Sequence, residues 1–248
     1  MTAKIDFDFD GARVLVTGGS NGIGLGIARA FRAANAKVAI TGRKSKAADY
    51  KEDLAGLDYH QAEMTSDGDL DRLASSFDRM DILVNNAGAS LMAEDEWKPE
   101  VFERAVRLAL FASFRLAMAF KDRISKSSIE GGGSVLNMAS MSAYRAVTVV
   151  PGYGAAKAAI VQMTMNMGAA WGLDNIRVNA VAPGWIATPL TQALTQDVDR
   201  TAQILARTPL GRWGTPEDVA DPVLFLASPA ARFVTGVILP VDGGYLIT

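Results

Sequence analysis

Tyr153 and Lys157 stand four residues apart in YGAAK, at the start of a stretch with helical period, so their side chains project from one helical face. A free phenol, with a pKa of about 10, is a poor acid or base at neutral pH. An ammonium beside it favours the phenolate and makes it fit for proton exchange with an alcohol oxygen. Ser140 follows the apolar run GSVLNM, at the carboxyl end of an expected strand, where its hydroxyl would hydrogen-bond a carbonyl or alkoxide oxygen. Taken singly, these residues have plainer readings. A Tyr–Lys pair at this spacing also occurs as an amphipathic surface pair, and a serine after a strand also caps a turn.

A second feature supplies the company they need. TGGSNGIG, Thr17 to Gly24, follows the first apolar run and leads directly into a helical pattern, with Gly18, Gly22 and Gly24 as its key glycines. Backbone without side chains can approach a pyrophosphate, and a helix N-terminus presents unpaired N–H groups and a partial positive charge. The spacing is GxxxGxG rather than GxGxxG, and a lone glycine cluster is also an ordinary tight turn. Joined to the Tyr–Lys–Ser group, it suggests hydride transfer. An oxidised nicotinamide would further favour the phenolate, Ser140 would hold the substrate oxygen, and Tyr153 would exchange its proton.

Composition narrows the alternatives. The chain has no cysteine, which removes disulfides, thiol nucleophiles and thiolate metal sites and leans towards the cytoplasm, and the lone His60 cannot build a metal cluster. A net charge of −2 without runs of like charge predicts no nucleic-acid and no membrane partner, leaving small-molecule chemistry. The segment MTAKIDFDFDGARVLV is not patterned as a secretory signal, and no apolar run is long enough to span a bilayer.

The elements that must position these groups follow from the alternation of short apolar runs with longer helical patterns, the signature of a parallel sheet covered on both faces. Strands are expected at Arg13 to Thr17, Lys37 to Thr41, Tyr59 to Ala62, Ile82 to Asn85, Ser134 to Met138, Ile176 to Ala182 and Val237 to Val241. Helices are expected at Gly22 to Asn35, Asp67 to Ser76, Pro99 to about Lys126, Tyr153 to Gly172 and Pro216 to Ala227. The 248 residues form one domain, since SKSSIEGGGS is too short for a linker. Residues around 184–212, punctuated by Gly184, Pro189 and Pro209, break the rhythm after a strand's carboxyl end and are expected to form a substrate lid.

Along essentially its whole length the chain resembles the short-chain dehydrogenases/reductases, 3-oxoacyl reductase-like members among them. TGGSNGIG, the NNAG of Asn85 to Gly88, Ser140 placed 13 residues before Tyr153, YGAAK, PGWIAT from Pro183 to Thr188 and DGG from Asp242 to Gly244 occur in the family's order. The resemblance implies a doubly wound, single-domain α/β Rossmann fold with seven parallel strands, a nicotinamide cofactor, and a homotetramer or homodimer. By position it assigns Gly18, Ser20, Asn21 and Ile23 to the pyrophosphate and adenosine, and Glu63 and Met64 to the adenine. Asn86 falls to the cofactor ribose, Lys157 to the nicotinamide ribose, and Ile186 and Thr188 to the carboxamide. NNAG also has a structural role in the family's central sheet. One position departs: Ala109 stands where the family carries a catalytic Asn that helps hold a lysine-linked water. Ala109 keeps the main-chain carbonyl and loses the amide, so the alternative is a catalytically weak dinucleotide sensor or scaffold.

After the second strand, Gly42 occupies the place where NAD users commonly carry an acid, and Arg43 follows it. A guanidinium without a carboxylate suits a 2′-phosphate, so NADP(H) is expected to be preferred, with NAD(H) as the alternative. The substrate side is assigned to Ser90, Leu91 and Met92, to Ser142, Tyr144 and Arg145, and to Trp185 and Leu190. This largely apolar set would suit a hydrophobic ketone or alcohol, an acyl thioester or a cyclic substrate. Apolar surplus on the two long helices, including Phe111, Phe114, Met118 and Met165, suggests helix pairing between subunits.

Overall fold

Five of the strands are buried along almost every residue, as runs covered by helices on both faces must be. The computed structural model describes residues 6–248, so the first five residues of the segment read as carrying no secretory signal lie outside the described residues. Strands β1 (Arg13–Val16), β2 (Lys37–Gly42), β3 (Asp58–Gln61), β4 (Ile82–Asn85), β5 (Gly133–Met138), β6 (Ile176–Pro183) and β7 (Ile238–Val241) form one parallel sheet. Its order, β3-β2-β1-β4-β5-β6-β7, reverses direction between β1 and β4. Loops leaving those two strands diverge there and open a cleft beyond their carboxyl ends.

Helix α1 (Gly22–Ala33) packs on α8 (Pro216–Ala227) over one face. On the other lie α2 (Asp67–Ser75), α3 (Pro99–Val106), α4 (Ala112–Ile124) and α5 (Pro151–Trp171). Two apolar layers result, with Ile27, Phe31, Val16 and Ile40 in one and Leu15, Leu83, Leu116 and Phe120 in the other. Helices α6 (Gln192–Gln196) and α7 (Val198–Ala206) lie in the expected lid segment.

The expected seven strands and helices on both faces are present, with three instructive corrections. Helix α5 begins at Pro151, which takes the first helical position where its missing N–H is harmless, rather than at Tyr153. The helix expected from Pro99 to Lys126 is divided by a π-helical turn over Arg107–Phe111. Inside that region the Ser113 hydroxyl donates to the Ala109 carbonyl at 2.6 Å, competing with main-chain donors for the acceptor. Thr17 also leaves the expected strand, its hydroxyl accepting the main-chain N–H groups of Asn86 and Ala87.

Candidate active site

The glycine turn is built to let something come close. Gly18 has φ +62°, the left-handed region that side chains avoid, and donates its N–H to Thr41 Oγ1 at 2.9 Å. A Cβ on Gly24 would overlap both Asn86 Nδ2 and the Gly18 carbonyl, so α1 can approach β1 only without a side chain there. Asn86 Nδ2 donates to the Thr17 and Gly18 carbonyls, fastening the turn to the loop after β4 across the sheet's switch point. No side chain caps α1 at Asn21, so its first-turn N–H groups keep the anion-attracting character of an open helix end. These features fit a dinucleotide pyrophosphate.

The other residues expected to touch a dinucleotide fall around this turn. Ser20 is buried, Asn21 exposed and Ile23 half-buried. Thr188 sits opposite Gly22, its Cβ 3.5 Å from a Cβ built there, and Ile186 is buried, bridged in strand fashion to Gly214. Arg43 is exposed and takes part in no ion pair among the described residues. The Glu63 carboxylate accepts Thr65 N and Oγ1, while Met64 is buried in the layer beneath α4. Both side chains are therefore engaged on their own turn and core.

The catalytic candidates converge beyond β5. Lys157 is only 3% exposed, and its Nζ donates to the Met138 carbonyl at 2.6 Å and lies 5.3 Å from the Tyr153 ring centroid. With no carboxylate partner, burial brings its ammonium down to about 8. Burial raises the Tyr153 phenol, a hydrogen bond with Ser140 opposes that rise, and the charge of Glu96 adds to it. Ser140 Oγ also accepts Ser142 N at 3.2 Å, so it caps the turn over Met141–Ala143 while facing the phenol. The turn-capping reading of that serine is present in the structure.

Glu96 carried no signal in the sequence, since EDEWKP has no fixed spacing to the reacting residues. It is fully buried, and its two carboxylate oxygens accept Leu91 N at 2.7 Å and Tyr153 N at 2.8 Å. One side chain thus ties the loop carrying Ser90, Leu91 and Met92 to the first turn of α5. At Ala109 the methyl group lies 4.0 Å from a Cβ built on Gly88, and that point is 3.5 Å from Lys157 Nζ. The missing amide is therefore missing from the lysine's immediate surroundings.

On the substrate side, Ser90 Oγ accepts Met92 N, and Tyr144 is half exposed. Arg145 donates to the main-chain carbonyls of Leu246 and Thr248, which engages its guanidinium within the chain. Trp185 makes edge contacts with Trp213 at 5.9 Å and Tyr245 at 6.2 Å, two aromatic residues not anticipated from sequence. Tyr245 also lies beneath both Arg145 and Arg207, at 5.9 and 4.5 Å. Buried Ser142 Oγ, Trp185 Nε1 and Trp213 Nε1 have no hydrogen-bond partner among the described residues.

Residues 18–246 match the family described as enoyl-(acyl carrier protein) reductase. The chain is 36% identical to a 2-dehydro-3-deoxy-D-gluconate 5-dehydrogenase of Pseudoalteromonas atlantica over 97% of its own length and 98% of the relative's. It is equally 36% identical to the 7alpha-hydroxysteroid dehydrogenase of Escherichia coli K12, covering 95% and 94%. Among solved structures, a gluconate 5-dehydrogenase from Burkholderia cenocepacia in complex with NADP and tartrate superposes with a TM-score of 0.87 at 30% identity, covering 98% of each chain.

Proposed function

The chain belongs to the short-chain dehydrogenase/reductase family, and from that premise we propose that Tyr153, Lys157 and Ser140 carry its chemistry, the reduction of a ketone or oxidation of a secondary alcohol. It is an NAD(P)-dependent oxidoreductase; the sensor or scaffold alternative suggested by Ala109 is not favoured by relatives that are themselves dehydrogenases. A nicotinamide dinucleotide bound along the glycine turn supplies or accepts the hydride. In the reducing direction Ser140 Oγ donates a hydrogen bond to the substrate oxygen, which orients the carbonyl and stabilises its growing negative charge. Tyr153 delivers the proton to that oxygen, and the Lys157 ammonium stabilises the phenolate left behind. Lys157 is able to do so because it has no carboxylate to neutralise it.

The observation that carries this reading is the buried Lys157 ammonium against the Tyr153 ring, with no carboxylate partner among the described residues and Ser140 opposing the rise of the same phenol. Within the reaction class, a hydroxylated substrate of sugar-acid size is favoured over a steroid or acyl thioester. Sugar-acid dehydrogenases recur among the relatives and the solved structures the chain resembles. The apolar set read from the sequence becomes the wall of such a pocket, and residues 184–212 its lid. NADP(H) is the preferred cofactor on the strength of Arg43 and Gly42 together. Exposed Phe111, Phe114, Met118 and Met165 support pairing of α4 and α5 between copies in a homodimer or homotetramer.

The test is turnover of NADPH and NADH by wild type and Tyr153→Phe against sugar-acid, steroid and acyl-thioester ketones, with dinucleotide binding measured alongside. Tyr153→Phe is expected to lose roughly 10²–10⁴-fold in kcat, the range of general acid–base catalysis, while binding the dinucleotide as wild type does. Equal turnover by the two proteins would remove Tyr153 from the chemistry.

A further inference from the structure

Gly42 ends β2 beside the adenosine end of the cleft, and no positive φ demands a glycine there. The reason for it is steric. A Cβ built on residue 42 would overlap Tyr50 Oη and lie 2.9 Å from Tyr59 Cε2 and 3.0 Å from Tyr50 Cζ. Tyr50 itself is well fixed: its ring meets Tyr59 at 5.7 Å between centroids, and Lys44 Nζ stands 4.7 Å from its centre. The Tyr50 hydroxyl accepts Lys44 N at 3.0 Å and meets Tyr59 Oη at 3.4 Å. Ser20 of the glycine turn and the Arg43 main chain lie near enough to favour the ionised form of this oxygen as well. Burial raises the phenol, yet these bonds outweigh it and hold Tyr50 below the ordinary tyrosine value, which marks a spot favourable to negative charge.

We propose that Tyr50 is a specificity-determining residue for the cofactor: its ring fills the space a carboxylate at position 42 would need, and its hydroxyl holds the Arg43–Lys44 main chain so that the Arg43 guanidinium is free for a 2′-phosphate. A carboxylate in that place would grip an unphosphorylated ribose through its hydroxyls. The tyrosine thus acts twice, excluding one ribose clamp and setting up the other. The proposal rests on the NADP(H) reading of Arg43.

Binding of NADP⁺ and NAD⁺ to the intact protein, measured by calorimetry, tests both halves on wild type, Tyr50→Phe, Gly42→Asp and the double variant Gly42→Asp/Tyr50→Ala. Tyr50→Phe keeps the ring and removes only the hydroxyl; it is expected to weaken NADP⁺ roughly 3–10-fold, the worth of a hydrogen bond or two, and to change NAD⁺ less than about 2-fold. Gly42→Asp alone is expected to bind NAD⁺ no better than wild type does. The double variant should bind NAD⁺ at least about 10-fold more tightly than Gly42→Asp, because loss of the Tyr50 ring opens space both for the carboxylate and for the Tyr59 ring to move off the new Cβ. Equal weakening of both dinucleotides by Tyr50→Phe, or NAD⁺ binding by Gly42→Asp as tight as by the double variant, would overturn the proposal. Tighter binding of NAD⁺ than NADP⁺ by wild type would instead overturn the Arg43 reading, while the comparison of single with double variant still decides the steric half.

Discussion

Lys157 is the residue at which stability and chemistry pull apart. Its ammonium is desolvated without a counter-charge, lowering its pKa from 10.5 to about 8. Between pH 8 and 10.5 the unfolded chain holds a proton that the folded chain has released, so stability rises with pH across that window. Below pH 8 both states are protonated and the full penalty, roughly 3 kcal/mol for that shift, is present. Lys157→Met is therefore expected to stabilise the cofactor-free protein at pH 7 by about 1–2 kcal/mol, the loss of the bond to Met138 offsetting part of the gain. Urea denaturation at pH 7 and pH 10 checks it, since the gain must shrink at the higher pH. Glu96 shows the opposite economy: its buried carboxylate is matched by two main-chain N–H groups.

At the scale of elements, the π turn over Arg107–Phe111 and the N-terminus of α5 bracket the proposed catalytic pair, Tyr153 and Lys157. Ala109→Asn would return an amide beside Lys157, and a rise in kcat of roughly 3–10-fold, about 1 kcal/mol of barrier, is expected. Steady-state kinetics and a thermal melt distinguish this from a crowded variant, which would lose both rate and stability. Much of this level was legible in the sequence. Tyr153, Lys157 and Ser140 were found because their spacing and strand-end position are local, and β4 ends where apolar alternation stops, at Asn85. The π turn escaped because it depends on which acceptor the Ser113 hydroxyl selects. Glu96, Trp213 and Tyr245 escaped because their roles arise from packing between distant segments, of which 57 residues separate Glu96 from Tyr153, and Tyr50 because its loop has no periodic pattern to aim its ring at Gly42.

On the scale of the molecule, an apolar strip remains outside both core layers. Phe111 is 57% exposed and Phe114 48%, along the side of α4 that also lines a groove with Met64, Leu70 and Met118. A charge placed there should cost nothing in an isolated subunit and a great deal in a paired one. Phe114→Asp is accordingly expected to shift the protein to a smaller species by light scattering, with the subunit's circular dichroism unchanged; an unchanged mass would move the interface elsewhere.

The sheet's reversal between β1 and β4 also governs how the site comes into being. Val14 pairs with Ile82 and Val16 with Val84, contacts that close a loop of some 68 residues, and Asn86 fastens the glycine turn in the same act. Pairings so distant along the chain are slow to form, because the entropy of closure is lost before the contacts are gained. The dinucleotide cleft is therefore a late product of folding: a chain with only β1, α1 and β2 assembled has the glycine turn but lacks the amide that fixes it. A nascent or partly unfolded chain in that condition is expected to bind dinucleotide weakly, because its glycine turn is not yet held in shape.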